Sequence, residues 1–179
     1  MVYQSGADAA LVLAYGTLDG GDAPVVRVQS ACAYGEVLMS RACDCRDQLA
    51  ETYALFKNEG RGVLIYLDQE GRGAGLISKA KAYQVEEKLG LDTVEAYEHL
   101  GLPIDQRSYH MAGTVLVDLG ILRLRLLTNN LRKLEQLRGF RLEVQRQPLQ
   151  GPVSNDNCSY LMTKRTKLGH MLSLVPQDR

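Results

Sequence analysis

The sequence has no excess of charge of either sign, and it is poor in aromatic side chains. Lysine plus arginine number 21, aspartate plus glutamate also number 21, and aromatic residues make up 6% of the 179 residues. A balanced charge gives no general attraction to nucleic acid or to a membrane surface, although it leaves room for a local basic pocket. The few aromatics and the lack of a basic stripe argue against nucleic-acid binding. We expect neither nucleic acid nor membrane as a partner.

Long apolar runs and linkers are also missing. No run is long enough to span a bilayer, and the amino-terminal residues have neither the basic stretch nor the cleavage pattern of a signal peptide. We therefore expect a cytoplasmic protein in which residues 1–179 form a single domain, with a flexible tail after about residue 172. In a reducing compartment, clustered cysteines indicate metal binding or catalysis more often than disulfides.

Apolar periodicity alternates between strand-like and helix-like along the chain. Within residues 47–59, Leu49, Tyr53 and Phe56 stand at i, i+4 and i+7, the spacing of one helix face. Helices are predicted at 47–59, 76–90, 105–119 and 131–138, and strands at 9–18, 25–29, 63–67, 122–127 and 141–144. The first two strands, joined by the turn sequence DGGDAP, are expected to form a hairpin. Strands separated by helices predict an α/β (α+β) fold with a mixed, partly parallel sheet flanked by helices.

Three of the four cysteines lie close together in the sequence, at Cys32, Cys43 and Cys45. They are either small buried apolar side chains or metal ligands. Three thiolates with one open position describe a catalytic zinc, whereas a structural zinc takes four protein ligands, the fourth of which would be Cys158. A disulfide between Cys43 and Cys45 is disfavoured because the two residues are too close in sequence. Arg41 and Arg46 either offset the charge of the thiolates or are surface arginines.

Three further segments have the composition of binding sites, and each also has an ordinary structural interpretation. Residues 70–72 (Glu-Gly-Arg) follow a predicted strand and are either an anion-binding loop or a tight turn. Asp105 and Arg107 stand at a predicted helix start and are either an acid and base pair or a helix cap with a surface arginine. Residues 126–133 lead from a strand into a helix, which is an arrangement that binds anions, or simply a capped helix start.

Together these segments resemble one family, the GTP cyclohydrolase II enzymes of riboflavin biosynthesis. The resemblance covers roughly residues 9–172 and is carried by RVQSACAYGEVLMSRACDCRDQL, GRGVLIYLDQEGRGAGL, LDTVEAYEHLGLPIDQR, LRLLTNN and YLMTKRTKLGHML. It implies a hydrolase in which a zinc-activated water opens the imidazole ring of GTP at C8. Pyrophosphate and formate would leave, giving 2,5-diamino-6-ribosylamino-pyrimidinone 5'-phosphate.

The resemblance also implies roles for individual residues. Cys32, Cys43 and Cys45 would bind one zinc per chain, and Mg2+ would accompany the triphosphate in a homodimeric enzyme. Tyr83 would assist ring opening, Asp105 would accept a proton, and Arg107 would attack the α-phosphate or clamp it electrostatically. The nucleotide would be contacted by Arg27, Val28, Gln29, Ser30, Ala31, Gln48, Glu70, Gly71, Arg72, Thr93, Thr128 and Lys133.

Several residues depart from the family pattern near the predicted site. Gln29, Ala31, Ala42, Arg46 and Leu102 stand where histidine, glutamate, arginine, glycine and an aromatic residue are common, and the amino-terminal segment is short. One interpretation is drift within a working riboflavin enzyme. Another is a divergent paralogue of secondary metabolism that retains the formyl group or takes another purine nucleotide. A third is an inactive paralogue that only binds a nucleotide.

Overall fold

The computed structural model describes residues 1–5, 8–18 and 22–174, and the chain divides into two compact units. We call the first the sheet unit; it comprises Met1–Gln29, Asp47–Asp68 and Ser108–Gln150. The second, the helical unit, comprises Ser30–Arg46, Gln69–Arg107 and Gly151–Arg179. Part of the DGGDAP turn and the end of the tail lie outside the described residues. The prediction of a single domain over residues 1–179 stays a prediction.

The sheet unit is built on a mixed sheet of six strands. They are β1 (Val2–Ser5), β2 (Asp8–Tyr15), β3 (Val25–Ser30), β4 (Gly62–Leu67), β5 (Arg123–Leu127) and β6 (Glu143–Gln147). Their order across the sheet is β1-β2-β4-β3-β5-β6. The pairs β1–β2 and β2–β4 are antiparallel, and the pairs β3–β5 and β5–β6 are parallel. This mixed sheet with its helices confirms the predicted α/β fold class.

The predicted hairpin between residues 9–18 and 25–29 is wrong, because β4 lies between β2 and β3. Leu11 and Leu13 of β2 face Tyr66 and Leu64 of β4 across an antiparallel pair. Nearly every residue of β4 is buried, which suits a strand in the interior of a sheet with both faces covered. Apolar alternation identifies a strand but not its neighbour, and a turn sequence between two strands does not fix their pairing.

Helices account for the remaining elements. They are α1 (Ala33–Glu36), α2 (Cys45–Glu59), α3 (Leu76–Leu89), α4 (Thr93–His99), α5 (His110–Asp118), α6 (Leu131–Arg138) and α7 (Cys158–Thr166), with a 3-10 turn at Glu70–Gly73. Among them α2, α3 and α6 confirm the predictions, and α1, α4 and α7 were not predicted. No helix in the described part of the chain is long and apolar enough to cross a membrane.

The helix predicted to begin at Asp105 begins at His110 instead. The carboxylate of Asp105 accepts the Arg107 backbone N–H at 3.0 Å, a local contact that competes with helix formation. The last strand is also shifted, to Glu143–Gln147, and Arg141 has a left-handed φ of 60° just before it. Both differences lie at element ends, where side-chain contacts outweigh periodicity.

Within the sheet unit, helices pack against both faces of the sheet. On one face, buried residues of α5 and α6 such as Val115 and Leu134 join Val26 and Ile65 of the strands in the main core. On the other face Phe56 of α2 packs with Val25, Leu64 and Leu127. The helical unit has two small cores of its own. One holds Ala82, Ala96 and Tyr97 from α3 and α4, and the other holds Val153, Leu161 and Leu172 around α7.

Candidate metal centre

Three thiols of the helical unit converge on one point. Cys32 follows β3, Cys43 lies in the next loop, and Cys45 begins α2, yet their Sγ atoms all lie within 4.8 Å of one another. Cys32 and Cys43 have their Sγ atoms 3.7 Å apart. Tetrahedral zinc with bonds of about 2.3 Å to sulfur holds its sulfurs roughly 3.8 Å apart, whereas a disulfide needs about 2.0 Å. The cluster therefore has the spacing of metal ligands.

All four cysteines are free thiols in the described chain, and Cys158 is not a member of the cluster. Cys32 and Cys43 are buried, and Cys45 is partly exposed. Since Cys158 packs with the apolar group around Leu161 and Leu172, it offers no closing ligand. The cluster is thus a group of three thiols that is able to hold a metal ion and leaves one tetrahedral position without a cysteine.

Helix α1 lines this cluster with a glycine. A Cβ atom added at Gly35 would lie 2.9 Å from Cys43 Sγ and 3.3 Å from Cys32 Sγ. Any side chain at this position therefore intrudes on the sulfurs. The backbone of Gly35 also hydrogen-bonds Cys32. Gly35 lets the chain pass close to the thiols and contributes a backbone contact to one of them.

The thiols do not ionise independently. Hydrogen bonds with Cys43 and Cys45 hold the pKa of the Cys32 thiol well below its usual range, and burial opposes them. The contact with Cys32 in turn raises the pKa of Cys43, and it raises the pKa of Cys45 further. Metal binding at such a cluster is coupled to proton release.

Lys79 of α3 reaches the cluster from the side. Its Nζ lies 3.2 Å from Cys32 Sγ and 2.7 Å from Glu70 Oε1. Burial lowers the pKa of this lysine, but the Cys32 thiolate and the hydrogen bond to Glu70 outweigh burial and raise it. The ammonium group is therefore charged and lies next to the Cys32 sulfur.

A second lysine, Lys164 of α7, approaches the same loop. Its Nζ lies 3.1 Å from Asp44 Oδ1 and 4.5 Å from the ring centre of Tyr160. Asp44 is fully buried between Cys43 and Cys45. Burial lowers the pKa of Lys164, but Asp44, Tyr160 and Cys45 together outweigh burial and raise the pKa. Asp44 and Lys164 form a buried ion pair that fixes the loop carrying two thiols.

The arginines next to the cysteines in sequence are on the surface. Arg41 is exposed and pairs with exposed Asp156 at 2.8 Å, and exposed Arg46 donates to Met39 Sδ at 3.5 Å. Ala42 donates its backbone N–H to Ser40 Oγ at 3.3 Å. The cations nearest the thiols thus come from α3 and α7, far away in sequence.

The 3-10 turn supplies the carboxylate that holds Lys79. Glu70 is buried; its Oε1 also accepts from Gly71 N at 2.9 Å, and its Oε2 accepts from Ala33 N at 2.5 Å. Gly71 and Arg72 have left-handed φ values of 59° and 54°. The non-glycine residue in this conformation costs roughly 1–3 kcal/mol, a strain that surrounding contacts must offset. The turn is therefore buried and held in place by specific contacts, unlike an ordinary surface loop.

Arg72 and Thr93 were both predicted to contact a nucleotide, and the structure brings them together. Arg72 Nη2 donates to Thr93 Oγ1 at 2.6 Å, and its guanidinium lies 4.7 Å from the ring centre of Tyr97. Tyr97 in turn donates its hydroxyl to the Gly71 carbonyl at 2.9 Å. Gly71, Arg72 and Thr93 therefore belong to one buried hydrogen-bonded group in the helical unit.

Asp105 and Arg107 form a bidentate ion pair. Arg107 Nε donates to Asp105 Oδ1 at 2.9 Å and Nη2 donates to Oδ2 at 2.7 Å. Both side chains retain only about a sixth of their exposure, at 15% and 17%. A carboxylate that accepts two donors of one arginine forms a strong ion pair with a fixed geometry. The pair presents a rigid, charged guanidinium at this position.

Tyr83 lies one helical turn after Lys79 on α3. Its ring packs edge-to-face on Tyr34 with ring centres 4.9 Å apart, and Lys79 Nζ lies 6.0 Å from its centre. Burial raises the pKa of Tyr83, Tyr160 raises it further, and the charge of Lys79 opposes both. The phenol is therefore protonated at neutral pH.

Most of the remaining predicted site residues lie in the sheet unit. Arg27 is buried; its Nε donates to Gln29 Oε1 at 2.8 Å, and its Nη2 donates to Gln48 Oε1 at 2.6 Å. Lys133 is buried and donates to the Val28 carbonyl at 2.7 Å. Side chains of α2 and α6 thus join β3 in two hydrogen-bonded groups, one around Arg27 and one around the Val28 carbonyl.

Thr128, Ser30 and Ala31 complete the predicted set. Thr128 Oγ1 accepts from Asn130 N at 3.0 Å, and the Asn130 side chain caps α6. The Ser30 hydroxyl is buried and has no hydrogen-bond partner among the described residues, and Ala31 is half-buried. Thr128 therefore shapes the loop that precedes α6, which fits the capped helix start considered for this segment.

Sequence reasoning missed Gly35, Asp44, Lys79 and Lys164. One signal was available for Lys79, because it stands four residues before Tyr83 and a helix places such residues on one face. For Lys164, which lies more than a hundred residues after Asp44, the sequence offers no comparable signal.

Comparison with known proteins identifies the family to which this chain is similar. The family model for GTP cyclohydrolase II matches residues 1–148. The riboflavin biosynthesis protein RibBA of Bacillus mycoides (strain KBAB4) is 50% identical over 165 residues, which are 92% of this chain and 41% of the relative. RibBA of Bacillus cytotoxicus (strain DSM 22905) is 54% identical over 155 residues, 86% of this chain and 39% of the relative.

The chain belongs to the GTP cyclohydrolase II family, as its motifs indicated. It spans about two fifths of the length of the curated relatives it matches.

Proposed function

We propose that this chain hydrolyses GTP in riboflavin biosynthesis and that its three clustered thiols hold one catalytic zinc. The observation that supports this most directly is the convergence of Cys32, Cys43 and Cys45 with a 3.7 Å sulfur–sulfur distance. Three cysteines match zinc in ligand type, and the open fourth position is typical of a catalytic site. The glycine at position 35 keeps side chains away from the sulfurs.

The overall reaction consumes three waters. One water cleaves the bond between the α- and β-phosphates and releases pyrophosphate. A second adds at C8 and opens the imidazole ring, and a third hydrolyses the resulting formamide to formate. The product is 2,5-diamino-6-ribosylamino-pyrimidinone 5'-phosphate. Bound zinc supplies Lewis acidity at this position, which makes water a better nucleophile near neutral pH.

Arg107, Asp105 and Tyr83 supply the charge and the proton transfers that the reaction needs. The bidentate partner Asp105 holds Arg107 as a fixed cation, and a fixed guanidinium suits a clamp on phosphate better than a nucleophile. We assign Asp105 as the group that positions it and that accepts a proton when the pair opens. Tyr83, protonated at neutral pH, is the proton donor to the opening ring.

We further propose that the nucleotide is contacted by the remaining predicted residues. They are Arg27, Val28, Gln29, Ser30, Ala31, Gln48, Glu70, Gly71, Arg72, Thr93, Thr128 and Lys133. Mg2+ would accompany the triphosphate, and the enzyme would be a homodimer. Arg27 and Arg72 have the charge that this role needs, and their guanidinium groups are already fixed by neighbouring oxygens.

The test is mass spectrometry of the products after zinc-loaded protein is incubated with GTP and Mg2+. We expect the diaminopyrimidinone monophosphate, with one formate and one pyrophosphate for each GTP consumed. Cys43→Ser should abolish the product, and Cys158→Ser should not, because Cys158 lies outside the cluster.

The alternative functions give different products in the same experiment. A formylated pyrimidine identifies a divergent enzyme that keeps the formyl group, and GMP alone identifies one that stops after pyrophosphate release. No turnover by zinc-loaded protein contradicts the proposal and favours nucleotide binding without catalysis. Leu102 was one of the departures that suggested an enzyme that keeps the formyl group. It packs against the core of Ala82, Ala96 and Tyr97, and these contacts give no reason for an altered product.

A further inference from the structure

We propose that Lys79 is a positioning residue of the three-thiol centre and that its ammonium group sets the affinity of the centre for a divalent metal. The inference rests on the proposed zinc site and adds to it a residue that coordinates nothing itself. It also assigns Glu70, predicted as a nucleotide contact, to the task of holding Lys79 in place.

The contact geometry is direct. Lys79 Nζ lies 3.2 Å from Cys32 Sγ, which is within hydrogen-bonding distance for a sulfur acceptor. It lies 2.7 Å from Glu70 Oε1, and both side chains are largely buried, with exposures of 13% and 9%. Tyr34 and Tyr83 flank the ammonium group, at 5.3 Å and 6.0 Å from their ring centres. The lysine is held between a carboxylate and a ligand sulfur.

The anchor of Lys79 is tied to the same stretch of chain as the metal ligand. Glu70 Oε2 accepts the backbone N–H of Ala33, the residue directly after Cys32. Its other oxygen accepts both Lys79 and the backbone N–H of Gly71. One carboxylate therefore fixes the Cys32 backbone and the cation that touches the Cys32 sulfur. Movement of either partner would shift the ligand.

Charge balance gives the reason for such a cation. Three thiolates around a divalent metal leave a net charge of about −1 in a site largely shielded from water. An N–H donor on a ligand sulfur withdraws electron density and stabilises this charge, and groups that hydrogen-bond to metal ligands orient them and tune the metal. Lys164 is not equivalent, because its ammonium group is paired with Asp44 instead of a sulfur.

The competing interpretation is that Lys79 binds a phosphate of the nucleotide. In that case substitution would raise the KM for GTP and leave metal affinity unchanged. The two interpretations therefore separate in a measurement made without nucleotide.

The experiment uses the full chain as wild type, Lys79→Arg, Lys79→Gln and Lys79→Met. Lys81→Met is the matched control, because Lys81 is an exposed lysine on the same helix. The zinc Kd is measured by competition with a chromogenic chelator, and folding of each apo variant is checked by thermal unfolding. Cobalt-substituted protein gives a second readout, the energy of the sulfur-to-cobalt charge-transfer band.

We expect Lys79→Met to raise the zinc Kd about 10–100-fold, the usual effect of losing an outer-shell partner. The cobalt band should move to longer wavelength, since a thiolate without its N–H donor gives up charge more easily. Lys79→Gln, which keeps a donor but not the charge, should fall between Lys79→Met and wild type. Lys79→Arg should restore most of both properties, and Lys81→Met should match wild type.

An unchanged zinc Kd and an unchanged cobalt band in Lys79→Met overturn the inference, and so does an equal loss in Lys81→Met. If Lys79→Met fails to fold, Lys79→Gln against wild type decides by the same two readouts. Failure of the proposed function has a different signature: wild type itself shows no cobalt–thiolate band, or it binds metal and does not turn over GTP.

Discussion

Lys79 of the helical unit and Lys133 of the sheet unit are both largely buried, but their ammonium groups meet different partners. Lys79 lies between the Glu70 carboxylate and the Cys32 sulfur. Lys133 donates to the Val28 carbonyl at 2.7 Å and lies 5.0 Å from the ring centre of Tyr109. Lys79 is thus held beside the three clustered thiols, whereas Lys133 ties the start of α6 to strand β3.

The difference separates two kinds of candidate site residue. Around the thiols, buried charges and a strained turn are organised about the three converging sulfurs. Around β3, Arg27 of the strand already donates to the Leu127 carbonyl, and Lys133 of α6 already donates to the Val28 carbonyl. Substitution near the thiols should therefore act on metal binding first, and substitution on β3 should act on stability first. Each of the following predictions tests this contrast.

The largest effect is expected from Cys43→Ser. The variant removes one of three ligands, so we expect zinc affinity to fall by at least about 100-fold and formate release to reach background. Zinc content after dialysis, measured by atomic emission, checks the first point. Cys158→Ser is the control; if both variants retain zinc equally, the three-cysteine centre is not the metal site.

Gly35→Ala is expected to have the next largest effect. The new Cβ would lie 2.9 Å from Cys43 Sγ, so the sulfurs must separate or α1 must shift. We expect the zinc Kd to rise about tenfold or more, as for a lost outer-shell contact. Val37→Ala, at an exposed position next to the same helix, serves as the control. Wild-type affinity in Gly35→Ala would show that α1 does not constrain the thiols.

Lys133→Met tests the other half of the comparison. It leaves the buried Val28 carbonyl without this donor, which costs roughly 1–3 kcal/mol. Urea unfolding of the apo protein should show that loss, and the zinc Kd should equal that of wild type. A raised zinc Kd with unchanged stability would mean that the two regions do not differ as described.

The smallest effect is expected at Asp92, which lies in the helical unit but outside the metal centre. Its side chain caps α4 by accepting from Val94 and Glu95, and it pairs with Lys167 at 2.6 Å. Asp92→Ala should lose the cap and destabilise the protein by about 1 kcal/mol. Asp92→Asn should lose less, because asparagine caps helices as well as aspartate does. Neither substitution should change the zinc Kd.

Asp92 also gives a pH dependence whose sign can be stated. Burial alone would raise its pKa, but the hydrogen bonds from Lys167 and from the amides of Glu95 and Val94 outweigh burial and lower it. A lowered pKa in the folded state contributes stability that is present above the ordinary value of 3.8 and is lost as pH falls through the lowered value. The stability gap between wild type and Asp92→Asn should therefore close on acidification in urea titrations. A gap that widens would contradict the assignment.

Much of the fold follows from local sequence, and the exceptions have physical causes. The helix at residues 47–59 and the strand at 63–67 were predicted because each has one clear periodicity. Helix α4 was missed although Asp92 and Glu95 form a capping box, a signal that local sequence does carry. The pairing of β2 with β4 instead of β3 is set by which strands bury two faces, and a single strand's pattern does not contain that information.

The candidate site shows the same division. The cysteine spacing alone identified all three thiols that converge, because they lie within fourteen residues of one another in the printed sequence. Their partners were not found, because Lys79 and Lys164 reach the cluster only through the packing of α3 and α7. Arg41 and Arg46, which are next to the cysteines in sequence, were considered as cations for the thiolates. In the structure they contact Asp156 and Met39 instead.

The dependence of GTP hydrolysis on a zinc held by the three thiols can be measured on the full chain. Its most direct test is a titration of metal-free protein with zinc in the presence of GTP and Mg2+, followed by the rate of formate release. The rate should rise in proportion to added zinc and reach a plateau at one zinc per chain, and the Cys43→Ser variant should show no rise. Formate release from metal-free protein, or an equal rise in Cys43→Ser, would contradict the account.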